Sequence, residues 1–144
     1  MTPTCGRLLD NEGAFADTSF YQALLNPKDN CHDSAISLSA AYRGSVVTSE
    51  YVLCELGALM SHGHLRQLFV ELVKGLKSAP RVEIIPGSHH TFETGLALFV
   101  ERPDKEWSLT DCISFALMQE RNITDALTCD HHFEQAGFRV MLLQ

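Results

Sequence analysis

The regular alternation of short β-like runs with helical stretches is what most restricts the fold of this chain. Phe15-Ala16 leads through Asp17 into a short helix over residues 20–25, closed by Asn26-Pro27. Residues 32–42 place Ala35, Leu38, Ala41 and Tyr42 on one helical face before Arg43-Gly44 ends the run. Residues 45–48 form a strand, and Thr48 or Ser49 can cap a helix that turns Val52, Leu56 and Leu59 toward a core. The clearest helix carries Leu65, Leu68, Phe69, Leu72, Val73 and Leu76, a spacing that predicts a buried stripe. A strand over 82–85 stops at Pro86-Gly87, and Phe92, Leu96, Phe99 and Val100 mark the face of the next helix.

Ser108, with Asp111 three residues on, opens another helix in a capping-box-like way, with Asp where Glu or Gln is usual. Its apolar face is Leu109, Cys112, Ile113, Ala116 and Leu117, and Asn122 suits its stop. A strand over 126–129, a helical turn over 131–136 and a last strand over 140–143 complete the order. Strand, helix and strand in repeated succession favour an α/β fold: a single domain with a central parallel sheet and helices on both faces. Residues 1–11 stand apart as an N-terminal extension to the domain at 12–144, and a disordered tail, a misplaced start and a short capping piece remain open for them. The extension leaves the first strand poorly defined, with Leu8-Leu9-Asp10 as a weaker competing strand end.

A chain of 144 residues, 45% hydrophobic and 20% charged, can bury one substantial core. Its formal charge of -7 argues against a broad basic face that grips duplex nucleic acid. A nuclease stays compatible with that charge, because metal ions can supply the positive potential that meets a phosphate. Cys5, Cys31, Cys54, Cys112 and Cys129 show no C-x-x-C spacing and suit reduced, mostly buried thiols in a cytoplasmic protein. No segment has the length and apolarity of a membrane span, and Met1–Asn11 lacks a signal-peptide core.

Four acids carry the chemistry. Asp17, Glu55, Asp111 and Asp130 each lie where an apolar run gives way to a helix start or sit within its first turns. In an open parallel sheet the carboxyl ends of the strands form the ligand crevice, so distant acids can converge there. Glu55 shares the stripe of Val52, Leu56 and Leu59 and has no Lys or Arg within one turn, so it needs a partner. Asp111 could simply cap its helix, and Asp17 and Asp130 could simply form turns. Together they suit one or two hard divalent cations, Mg²⁺ or Mn²⁺, that activate water against a phosphate ester.

Competing ligands are weaker. Cys54, Cys112 and Cys129 neighbour three of the acids, but adjacent residues point in different directions. His62, His64, His89, His90, His131 and His132 pair closely without the H-E-x-x-H spacing of a zinc site. Only His132, close behind Asp130, is placed to meet a phosphate or order the turn. The phenylalanines read as core, and Trp107 as a residue that holds the loop carrying Asp111.

Four segments in one order add a resemblance. Residues 16–20 with 23–27, residues 47–55, Trp107 to Cys112, and Thr128 to Phe133 with Ala136-Gly137-Phe138 are similar to the PIN-domain proteins, in particular VapC-type toxins. The resemblance implies a Mg²⁺- or Mn²⁺-dependent endoribonuclease whose acidic quartet falls on Asp17, Glu55, Asp111 and Asp130. It implies supporting hydroxyls at Thr18 and at Ser108 or Thr110, an RNA substrate, homodimerisation and an antitoxin partner. A PIN-like module that binds RNA or protein without turnover is the rival reading.

Overall fold

The computed structural model describes residues 13–142. The N-terminal extension and the competing Leu8-Leu9-Asp10 strand end lie outside the described residues. Five strands, β1 (Ala14–Ala16), β2 (Val46–Ser49), β3 (Val82–Ile85), β4 (Asp125–Leu127) and β5 (Arg139–Val140), form one sheet in the order β3-β2-β1-β4-β5. Every pairing is parallel, with Phe15 opposite Val47 on one side and Ala126 on the other. Seven helices connect them: α1 (Thr18–Leu25), α2 (His32–Ala41), α3 (Glu50–Leu59), α4 (His64–Ser78), α5 (His89–Glu101), α6 (Leu109–Glu120) and α7 (His131–Gln135).

The first strand is the best defined of all, although the sequence suggested otherwise. Ala14, Phe15 and Ala16 are 0% exposed, because β1 is central and covered on both faces. Its entry is set by Gly13, whose φ of +95° suits glycine and whose added Cβ would lie 2.3 Å from the Ser45 carbonyl oxygen. From β1 the chain steps to β2 and β3, then returns to add β4 and β5 on the opposite side. Crossovers between parallel strands are right-handed as a rule, so running them in opposite directions from β1 puts helices on both faces, and the reversal puts a topological switch point between β1 and β4.

Packing departs from the sequence pattern in three helices. The predicted face of α5 is turned outward: Phe92, Phe99 and Val100 are 37%, 43% and 69% exposed. Thr91 and Gly95 are buried instead, and Gly95 abuts Ile113 of α6 so closely that a Cβ would meet it at 2.3 Å. A small residue lets two helix backbones approach, and that contact decides the rotation of α5. Leu59 of α3 is likewise 52% exposed, while Val52, Leu53 and Leu56 are buried. No residue of α4 is fully buried, and its stripe packs half-covered against the core.

The strand ends differ too. β4 ends at Leu127, two residues short of Cys129, and β5 is only two residues long, with Leu143 beyond the described residues. Asn122, at φ +55°, ends α6 as expected. No helix among the described residues is long and apolar enough to cross a membrane.

Candidate active site

Asp17 follows β1 directly and caps α1, accepting from the Ser19 amide and hydroxyl at 3.5 and 3.3 Å. Its amide donates to the Leu127 carbonyl at 3.1 Å, extending the pairing with β4 past the strand. From the same side the buried Thr128 hydroxyl donates to Asp17 Oδ2 at 3.0 Å, and from the β2 side Thr48 donates to the Ala16 carbonyl at 2.9 Å. Three strands therefore fix this carboxylate.

Asp111 is brought in by α6. Its carboxylate accepts from the Ser108 amide at 3.1 Å while its own amide donates to Ser108 Oγ at 3.0 Å, a reciprocal capping box with Asp at the third position. Trp107 holds this loop as anticipated. Its ring meets Phe115 edge-on at 5.0 Å, and its Nε1–H donates to Gln135 of α7 at 3.0 Å.

Asp130 caps α7 and accepts from the His132 amide at 2.9 Å. His132 Nδ1 lies 3.1 Å from Asp111 Oδ2 and 3.4 Å from Asp130 Oδ1, bridging the two acids. Glu55, one turn into α3, receives the Thr18 hydroxyl on Oε1 at 2.5 Å. That hydroxyl is the partner its stripe position required.

The four acids line one open cleft of about 340 Å³ outside the carboxyl ends of β1 and β4. Among the described residues, Thr18, Ser19, Gln22, Leu59, Glu106, Ser108 and His132 complete its wall, and none of the lining residues is a lysine or arginine. Thr110 is absent from that wall, so of the two hydroxyls considered beside Asp111 only Ser108 reaches it.

Burial, reinforced by like charges, is the electrostatic mark of the cleft. Burial raises Asp17 to about 7, with the Asp111 charge next and Glu55 contributing, against the hydrogen bond from Thr128. Burial also raises Asp111, helped by Asp130 and opposed by the bonds from Ser108 and His132. A carboxylate held this deep with like charges beside it is stabilised by a cation. The four acids offer oxygen donors, which fit a hard one, with His132 Nδ1 beside Asp111 and Asp130. For Glu55, Asp111 and Asp130 the side-chain bonds fall on Oε1, Oδ2 and Oδ1, leaving the other oxygen of each as a donor.

Ser19, Thr128, Gln22 and Glu106 were not anticipated. Ser19 Oγ and Thr128 Oγ1 lie 2.6 Å apart beneath Asp17. For Ser19 and Thr128 the only sequence signal was their position beside an acid at a strand end. Glu106 had none, since it sits in a loop that α6 packing carries to the rim.

Comparison with known proteins agrees with this fold. The family model described as the PIN domain matches residues 14–139. The chain is 33% identical over 126 residues to the 23S rRNA-specific endonuclease VapC20 of Mycobacterium tuberculosis, covering 86% of this chain and 94% of that protein. The crystal structure of VapC20, described as a sarcin-ricin loop cleaving toxin, superposes with a TM-score of 0.82 at 28% identity, over 91% of this chain and all of the other. The fold is shared more distantly by FitAcB from Neisseria gonorrhoeae, with a TM-score of 0.65 at 18% identity over 90% of this chain and 96% of that one. A toxin–antitoxin complex from Klebsiella pneumoniae gives 0.59 at 19% identity, over 83% and 88%.

Proposed function

This chain belongs to the PIN-domain family, and on that premise we propose that it is a divalent-metal-dependent endoribonuclease, the toxin of a toxin–antitoxin pair. The observation that carries the reading is the convergence of Asp17, Glu55, Asp111 and Asp130 on one cleft whose lining, among the described residues, holds no lysine or arginine. Such a site is an incomplete charge arrangement, and one or two Mg²⁺ or Mn²⁺ ions complete it.

Asp17 and Asp111 are the buried members and hold the charge deepest, while Glu55 and Asp130 flank them from α3 and α7. Thr18 orients Glu55, and Thr128 with Ser19 orients Asp17. His132 spans Asp111 and Asp130 and keeps them in register. When bound, the ions supply neutralisation of the phosphate and of the leaving oxygen, and a water acidic enough to serve as nucleophile. The substrate class is RNA, and the likeness to VapC20 supports a loop of large-subunit ribosomal RNA.

An antitoxin that covers the cleft and a homodimer are the expected partners, the second supported by the exposed apolar Phe92, Phe99 and Val100 on α5. Free thiols at the described cysteines and the ribosomal substrate favour the cytoplasm.

The test is a time course with purified protein, a labelled RNA carrying the ribosomal loop, and Mn²⁺ or EDTA. Cleavage requires the metal and falls about 10²–10³-fold in Asp111→Asn, a loss typical of removing one electrostatic group from such a site. Glu55→Gln weakens metal binding. Cleavage in EDTA, or full activity of Asp111→Asn, would end the metal mechanism. Saturable RNA binding without product would instead establish the non-catalytic module.

A further inference from the structure

Cys129 leaves β4 between Thr128 and Asp130, yet its side chain does not line the acidic cleft. It meets Cys31 and Asp29 instead. Both sulfurs and one carboxylate oxygen lie within 4.8 Å of one another, although the residues come from the α1–α2 turn and from the far end of the domain.

Cys31 is 1% exposed and sits at the start of α2 without using its side chain as a cap. Asp29 and Cys129 are half-buried, so the cluster opens to solvent on their side. Asp29 is preset: its amide donates to the Asn26 carbonyl at 3.0 Å, and its Oδ1 accepts from the Cys31 amide at 2.8 Å.

Bond lengths decide what such a trio can hold. With Zn–S of about 2.3 Å and Zn–O of about 2.0–2.2 Å, tetrahedral ligand atoms lie roughly 3.4–3.8 Å apart. The observed cluster therefore needs only small side-chain rotations to enclose an ion. Its two sulfurs select against Mg²⁺ and for a softer metal, unlike the carboxylate cleft nearby.

We propose that Asp29, Cys31 and Cys129 form a second metal site, for a thiophilic divalent cation of the zinc class, with water in the fourth position. On binding, each thiol releases its proton to solvent, and no oxidation state changes. The ion ties the exit of β4 to the α1–α2 turn. Cys129 donates from its amide to Ser19 Oγ at 3.3 Å, so the clamp acts on the residues that also hold Asp17. The site stands independently of the nuclease reading.

The test uses the full-length chain kept reduced, with excess Mg²⁺, titrated with Co²⁺. One Co²⁺ per chain should give a sulfur-to-cobalt charge-transfer band that Zn²⁺ displaces. Cys129→Ser and Cys31→Ser should abolish the band, and Asp29→Asn should weaken affinity at least about tenfold, since even outer-shell changes cost 10–100-fold. Asp111→Asn and Cys54→Ser, with Cys54 exposed, should keep it whole. Circular dichroism checks each fold, and Cys129→Ser with Asp29→Asn decide the matter should the buried Cys31→Ser fail to fold. No band in the parent protein, a band surviving in folded Cys129→Ser, unchanged affinity in Asp29→Asn, or loss of the band in Asp111→Asn overturns the proposal.

Discussion

Helices α4 and α6 reverse what their sequences advertise. α4 has the cleanest apolar stripe in the chain, from Leu65 to Leu76, and no fully buried residue. α6 has a weaker stripe, yet every residue from Asp111 to Met118 is buried, polar Ser114 included. An amphipathic pattern arises where a helix has one covered side and one wet side. A helix enclosed by α3, α5 and α7 has no wet side, so its periodicity fades as its structural weight grows. The candidate site is built on the enclosed helix, where a carboxylate can be held in a fixed position.

The sharpest way to break that contrast is to cut into each helix equally. Phe115, 0% exposed and stacked edge-on against Trp107 and Phe133, should cost about 3–5 kcal/mol when changed to Ala. Leu72→Ala on α4 should cost less than half of that in the same urea titration. Equal losses would mean that enclosure confers no extra weight on α6.

Asp17 tests the electrostatic side. Its folded value is raised to about 7 by burial, so between its ordinary range and 7 the folded state holds a proton that the unfolded chain has released. Stability of the metal-free protein from this group is therefore present at low pH and falls as pH rises toward 7. Asp17→Asn should remove that fall and make the EDTA-treated protein more stable than the parent at pH 8, by roughly 1–4 kcal/mol. At pH 4 the two should converge. A variant less stable than the parent at pH 8 would show that ionised Asp17 is already compensated within the protein.

Smaller effects probe the contact that rotates α5. Gly95→Ala places a methyl 2.3 Å from Ile113 Cγ1 and 2.9 Å from Ile113 Cα, and should cost about 1–3 kcal/mol by forcing the two helices apart. Val100→Ser, at a position 69% exposed, should stay within about 0.5 kcal/mol in unfolding. It should weaken self-association in sedimentation, and unchanged association would take Val100 out of any dimer contact.

Much of the candidate site was legible. Asp17, Glu55, Asp111 and Asp130 were identified from strand-end and helix-start positions and from the family resemblance, and the fold brings all four to one cleft. The capping box at Ser108 and the stop at Asn122 were also readable, because caps are local chemistry. Thr128 was not recognised as the donor to Asp17, since the two lie at opposite ends of the chain and meet only through the β1–β4 register. The outward face of α5 was hidden for a related reason: Gly95 carries no hydrophobic signal, yet its smallness decides which side of the helix is covered.

By itself, then, the sequence determined the order of elements, their caps, and the placing of three acids at strand ends or helix starts with Glu55 inside α3. Those depend on residues within a few positions of one another. The tertiary structure alone decided that a three-residue strand would be the centre of the sheet and that hydroxyls distant in sequence would hold its terminal carboxylate. It likewise decided that Cys129 would turn from the acids toward Cys31. Parallel pairing joins residues far apart in the chain, and no local pattern records which side chains that pairing will bring into contact.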